Sequence, residues 1–265
     1  MISVEVVRVF SRGNQGGNPL GVVEQTAALD DTRMQAIAAE LGFSETTFIT
    51  QSDRTPPFVR IFTPKFELAF AGHPLVGTAW VLGVLRRRAV PELECGMGRV
   101  QTEIRGDTSW IRLPLDQSVG AGNPTLPALA GMPSPSRAWT VAMPRDYLLF
   151  EFESADQISA LDPKMSALGE HFLIHAFARS GNQVRARVFA PAAGVPEDPA
   201  TGSAAVALAA VLQAEGQDAG QIEISQGDEM GCPSTIQLEW AAGQVRIGGT
   251  VVQDPARQVR GGAGA

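Results

Sequence analysis

Residues 2–10 alternate apolar and polar positions with the two-residue period of a half-buried strand. Gly13-Asn-Gln-Gly-Gly-Asn18-Pro19 marks a tight turn, and Leu20–Val23 a short second strand. The period changes at Met34, Ile37, Ala38 and Leu41, which share one face of a helix that Asp30 or Asp31 caps and Gly42 ends. Strands are expected at Phe43–Thr50, Arg60–Thr63, Leu93–Arg105 and Thr108–Leu113, the last two joined at Gly106-Asp107. From Pro114 to about Arg137 the chain is rich in Pro, Gly, Ser and Ala and reads as a domain boundary. Beyond it come strands at Ala138–Met143 and Tyr147–Phe152, helices near Asp156–Ala160 and Pro163–Leu168, and strands at His171–Ala178, Arg185–Phe189, Gln221–Ile224, Thr235–Trp240 and Val245–Val252.

Two stretches depart from this amphipathic pattern. Val76–Leu85 is an apolar run, and Ala204 to roughly Gln213 is apolar on every face, as expected of helices inside the protein. Their surroundings repeat. Arg60-Ile-Phe-Thr-Pro64 precedes Gly72-His73 and the first apolar helix; Arg187-Val-Phe-Ala-Pro191 precedes Gly202-Ser203 and the second. Such a repeat implies two similar halves, each presenting the N-terminus of a buried helix. The expected division is 1–117, with a central helix over 74–86; 118–256, with a central helix over 202–214; and a flexible glycine-rich tail, 257–265.

The 265 residues carry a net charge of −7, which argues against nucleic acid or an anionic membrane as partner and for a small-molecule substrate. The N-terminus lacks the layout of a signal peptide, and no apolar run reaches the ~18 residues of a membrane span. Cys95 and Cys232 cannot build a disulfide framework, so a cytoplasmic location is expected. The glycines near Asn18 and at Gly96-Met97-Gly98 lead into strands, unlike the glycines of a dinucleotide or phosphate loop.

Candidate chemistry gathers at Glu197-Asp198-Pro199-Ala200-Thr201-Gly202-Ser203. Pro199 suits a first helical turn, Thr201 or Ser203 can cap free backbone donors, and Gly202 admits a ligand close to the backbone. The plain reading of Asp198 is an acid that complements a helix dipole, and that of Glu45 a solvated loop acid. His73 opens a buried helix, where the dipole favours a neutral imidazole able to relay a proton. His171 and His175 have the spacing of a metal pair but no third ligand, so no metal is expected. A two-thiol racemase would need cysteines at the helix starts, where this chain has His73 and Ser203.

At Phe43-Ser-Glu45-Thr-Thr-Phe, Ile61-Phe-Thr-Pro, Glu67-Leu-Ala-Phe-Ala-Gly-His73-Pro, Glu197-Asp-Pro-Ala-Thr-Gly-Ser203 and Gln226-Gly-Asp-Glu-Met-Gly, the chain resembles the phenazine-biosynthesis PhzF-like isomerase family. The motifs span both halves in one order. The resemblance implies the diaminopimelate-epimerase-like fold, an α/β (α+β) architecture of two similar halves. Each is a curved, mostly antiparallel sheet around a central buried helix, with the site between the halves. It implies Glu45 as catalytic acid/base, His73 and Asp198 as polar partners in proton transfer, and Gly72, Gly202 and Ser203 as donors to an anionic group. Asn18, in a family-like Gly-Asn-Pro turn, would support the site, and a homodimer without cofactor is implied. Cys232-Pro-Ser stands where the family shows Arg-Pro-Ser, and the loop before Asn18 also differs, so substrate identity does not carry over.

The expected function is cofactor-independent isomerisation by proton transfer on a small carboxylate-bearing metabolite. Glu45 should be withdrawn from bulk water, with a raised pKa, on a cleft shared with Asp198. An epimerase or racemase of the same fold would instead need acid/base groups on opposite faces of one carbon, for which Glu45 and Asp198 are the candidates. A non-catalytic small-molecule binding protein is the third possibility; exchange of substrate-carbon protons in deuterated water separates the three.

Overall fold

The computed structural model describes residues 1–51, 54–164, 173–191 and 195–260. The chain divides into two compact units, Met1–Arg112 with Gly248–Ala265, and Leu113–Ile247.

In the first unit, β1 (Ile2–Ser11) pairs antiparallel with β2 (Asn18–Val23). Helix α1 (Asp31–Leu41) then carries the chain across to β3 (Glu45–Gln51), parallel to β2. The α1 ends follow the sequence: the Asp30 carboxylate accepts the Arg33 N–H, and Gly42, in the left-handed region at φ 66°, donates to Ala38 O. Met34, Ile37, Ala38 and Leu41 pack with Val4, Val23, Phe48, Phe62 and Val259 on one sheet face. β4 (Phe58–Phe62) runs antiparallel to β3, and β5 (Glu67–Leu68) antiparallel to β4. Next comes α2 (Gly72–Trp80), extended by a π-helical segment, Val81–Leu85; β6 (Glu92–Cys95), β7 (Gly98–Arg105) and β8 (Thr108–Pro114) follow.

Every residue of α2 is buried. Its approach to the sheet depends on Gly77, where a Cβ would lie 2.5 Å from Leu20 Cδ2 and 2.7 Å from Val9 Cγ2. Two buried polar contacts fix its register: Thr78 and Thr47 hydroxyls 2.9 Å apart, and the Ser109 hydroxyl donating to Val76 O at 2.8 Å.

The second unit comprises β9 (Val119–Ala121), α3 (Leu126–Leu129), β10 (Arg137–Val141), β11 (Tyr147–Glu151), α4 (Ala155–Ser159), β12 (Leu173–Ser180), β13 (Gln183–Ala190) and β14 (Val195–Asp198). Helix α5 (Gly202–Ala214), β15 (Ala219–Gln226), β16 (Ser234–Ala241) and β17 (Gln244–Val259) complete the chain. Leu148, Phe150, Ile158, Ile174 and Phe189 belong to one core cluster of this unit. Gly202 and Ala204–Leu212 of α5 are buried, as its uniformly apolar sequence requires.

The sequence repeat corresponds to a repeated topology. In the first unit β2 and β3 are parallel across α1, β3 and β4 antiparallel, and β4 and β6 parallel across α2. In the second, β11 and β12 are parallel across α4, β12 and β13 antiparallel, and β13 and β15 parallel across α5.

Several local expectations differ from the structure. The expected strand Leu93–Arg105 is a hairpin, because Gly98 turns at φ 114° and Gly96 lies too close to Ala69 for a side chain, a Cβ there falling 2.9 Å from Ala69 Cα. The Pro- and Gly-rich stretch 114–137 contains β9 and α3. Residues 248–256, expected in the C-terminal half, group with the first unit because β17 continues past Gly248 to pair with β1, from Val9↔Val251 to Ile2↔Val259. Arg257–Val259 of the expected flexible tail are therefore strand; Pro163 and Lys164 of the expected helix Pro163–Leu168 are not helical, and its residues 165–168, His171 and the last five residues lie outside the described residues.

Candidate functional site

In the first unit, Glu45 begins β3 opposite Leu20, Asn18 begins β2, and Gly72 and His73 open α2. The parallel β2–β3 register and the helix start bring the three polar side chains together. The His73 ring is buried, with Nδ1 3.4 Å from Asn18 Nδ2 and Nε2 3.5 Å from Glu45 Oε2. The Glu45 side chain is 16% exposed, withdrawn from bulk water without being sealed off. Burial pushes the His73 pKa down to about 3, so at neutral pH the ring is uncharged and the Glu45 contact is no ion pair. Dipole repulsion was the expected reason for neutrality; desolvation is the cause here.

The tautomer follows from the partners. An amide NH2 can only donate, so Nδ1 accepts from Asn18 and the ring proton sits on Nε2, toward Glu45. At 3.5 Å this contact is not yet a hydrogen bond. A carboxyl group, a neutral imidazole N–H and an orienting amide in series can move a proton without separating bare charge. Ala71, the N-cap of α2, offers no side-chain bond to the first-turn N–H groups, leaving them to other acceptors.

In the second unit, Asp198 is the last residue of β14, paired with Val188 and 7% exposed. It lies outside the helix, whose first turn holds no acid, so it is not the plain dipole-complementing acid. Pro199 likewise precedes the helix instead of entering its first turn. Thr201 is the N-cap residue of α5, but it makes no side-chain capping hydrogen bond. The Thr201 hydroxyl donates to Asp198 Oδ2 at 2.6 Å, and Ser203 Oγ shares a 2.7 Å hydrogen bond with Tyr147 OH. Gly202 begins α5 and is buried.

Sequence reasoning did not assign three residues that the structure ties to these candidates. Gln226 bridges Asp198 and Thr201; Tyr147 holds Ser203; and His175, buried in β12, has its pKa lowered to about 4 by burial, weakly opposed by the Ala204 backbone. For Gln226 a signal existed, since it opens the Gln226-Gly-Asp-Glu-Met-Gly motif; for His175 the signal was only its spacing from His171, and a strand Tyr carries none. No cluster of three metal-ligating side chains occurs among the described residues. Cys95 is buried and its thiol pKa raised, chiefly by desolvation, which opposes thiolate formation.

The profile of a family described as "phenazine biosynthesis-like protein" matches residues 7–261. Trans-2,3-dihydro-3-hydroxyanthranilate isomerase of Pseudomonas chlororaphis is 38% identical over 248 residues, covering 87% of each chain. The Pseudomonas aeruginosa enzyme of the same name is 36% identical over 243 residues, again covering 87% of each. A solved structure from Pseudomonas aeruginosa described as a "predicted epimerase" superposes with a TM-score of 0.81 at 25% identity, covering 98% of this chain and 99% of that one.

Proposed function

The chain belongs to the phenazine biosynthesis-like protein family and is a PhzF-like isomerase with a diaminopimelate-epimerase-like fold, and on that premise we propose that it moves a proton within a small, unsaturated carboxylate by acid/base chemistry on Glu45, without a cofactor. The observation that carries this reading is the Glu45 carboxyl group, partly withdrawn from water, beside a buried imidazole that burial keeps neutral.

In the proposed reaction, ionised Glu45 takes a proton from a carbon acidified by an adjacent double bond. The C–H electron pair moves into the unsaturated system, and protonated Glu45 returns the proton at its far end, so nothing is gained or lost. His73 Nε2–H steadies the carboxylate before the transfer, with Asn18 fixing the ring. Asp198 serves as the polar partner that orients the substrate, and the starts of α2 and α5, at Gly72-His73 and Gly202-Ser203, receive its anionic group. A cytoplasmic homodimer acting on a small molecule completes the proposal.

The substrate tried first is trans-2,3-dihydro-3-hydroxyanthranilate, named by the relatives. Incubation in deuterated water, followed by NMR, should show the isomerised product and its deuterium content. The similarity to a structure described as a predicted epimerase favours a second reading, in which the configuration at one carbon inverts. Deuterium at an inverted carbon without double-bond migration would select it. Failure of this compound and related unsaturated carboxylates to exchange protons would leave a binding protein.

A further inference from the structure

Gln226 is 99% withdrawn from solvent at the end of β15, with 1% of its surface exposed, and its amide is fully used. Nε2 lies 2.6 Å from the Asp198 carbonyl oxygen and 3.0 Å from Thr201 Oγ1, while Oε1 receives the Thr201 N–H at 3.3 Å. This amide has one permitted orientation. Flipped, it would set an oxygen against the Asp198 carbonyl and an NH2 against the Thr201 N–H, two repulsive contacts at buried positions.

The orientation fixes the next proton. Gln226 has two N–H donors, one for the Asp198 carbonyl and one for Thr201 Oγ1. Because Thr201 Oγ1 accepts there, its own O–H is directed to Asp198 Oδ2, 2.6 Å away, the separation of an O–H donor on a carboxylate. Oδ2 is thus an acceptor. The backbone supports the arrangement: Gly227 turns at φ 82°, and a Cβ there would lie 2.6 Å from Pro199 O and 2.4 Å from Cys232 O, so the loop after Gln226 lies directly on the segment after Asp198.

We propose that Gln226 is a positioning residue which, through the Thr201 hydroxyl, holds Asp198 as an ionised, fixed carboxylate, so that Asp198 acts in the proposed reaction as an anionic partner and not as a proton donor. This rests on the reading of the chain as a proton-transfer isomerase. Among the described residues, Arg187 of β13 pairs with Glu197 and Arg185 of β13 with Asp228 and Glu229, and His175 of β12 lies opposite Val188, the residue that pairs with Asp198. On β15, Glu223 lies opposite Gln183 of β13 and Gln237 of β16. The neutral Gln226–Thr201 relay reaches Asp198 Oδ2 directly.

The test compares Thr201→Val, which keeps the shape and removes the hydroxyl, with Thr201→Ser, which keeps the hydroxyl. The carboxyl carbon of Asp198, labelled with ¹³C and assigned by its loss in Asp198→Asn, is titrated by NMR in the full-length protein. The Val variant should protonate Asp198 at higher pH than wild type, and the Ser variant should restore the wild-type midpoint. With trans-2,3-dihydro-3-hydroxyanthranilate, solvent deuterium exchange should fall about 10- to 100-fold in the Val variant, the effect of one hydrogen bond to a charged group, and recover in the Ser variant. An unchanged midpoint in the Val variant, or no recovery in the Ser variant, overturns the assignment. A shifted and restored midpoint with no exchange in any variant supports the relay and counts against the isomerase reading alone.

Discussion

Acidification should destabilise this chain through its imidazoles. His73 and His175 have folded-state pKa values of about 3 and about 4, against an ordinary 6.5, both lowered mainly because burial disfavours the cation. In the unfolded chain both groups return to the ordinary value. Between there and about pH 4 the unfolded state binds more protons than the native state, so unfolding free energy rises with pH. Stability is therefore full above the ordinary value and is lost as the pH falls toward the folded values. Each imidazole contributes a slope of about 1.4 kcal/mol per pH unit, and the pair about 2.7, so going from pH 7 to 4.5 removes roughly 5 kcal/mol. That is a large part of the ~5–15 kcal/mol that holds a typical domain folded. Urea unfolding, followed by tryptophan fluorescence at half-unit steps across this range, measures the slope. In His73→Gln the slope attributable to imidazoles should halve. Parallel curves for wild type and variant, or an NMR resonance showing His73 titrating near its ordinary value in the folded protein, would refute the argument.

Gly77→Ala should lower stability by about 1–3 kcal/mol, because the added methyl meets Leu20 and Val9 at the α2–sheet contact; a urea midpoint equal to wild type would mean that α2 shifts freely. Asp198→Asn keeps the side chain's shape and removes its charge, so proton exchange into substrate should fall while the melting temperature changes little; loss of stability alone would make Asp198 structural. His73→Gln should reduce turnover and substrate binding together, as read from kcat and KM, and equal activity would remove His73 from the mechanism.

Periodicity was enough to place most strands, the capped helix α1 and both buried helices, since burial of one face or of all faces writes itself into the order of residues. The repeat at Arg60 and Arg187 anticipated the matching topologies around α2 and α5, although spacing alone could not say which strands pair. Partners separated by long stretches of chain were less legible. Asp198 read plainly as a helix-start acid because the strand ending at it, and Gln226 reaching it from β15, become neighbours only on folding. Thr201 and Ser203 both read as caps, and their hydroxyls go instead to Asp198 and Tyr147, because a buried carboxylate and a buried phenol compete successfully for them. At Arg257–Val259 the expectation of a flexible tail was wrong, because pairing with β1 extends β17 to Val259.

The central claim is that Glu45 takes and returns the proton, and Glu45→Gln tests it most directly because the amide keeps the size and hydrogen-bonding capacity of the side chain but cannot cycle a proton. Wild type and variant are compared with trans-2,3-dihydro-3-hydroxyanthranilate in deuterated water, binding being measured by calorimetry and deuterium entry by NMR. The account predicts that substrate still binds and that deuterium incorporation falls by at least the ~10²- to 10⁴-fold typical of a general acid–base group. Near-normal incorporation in Glu45→Gln, with wild type active, would contradict it.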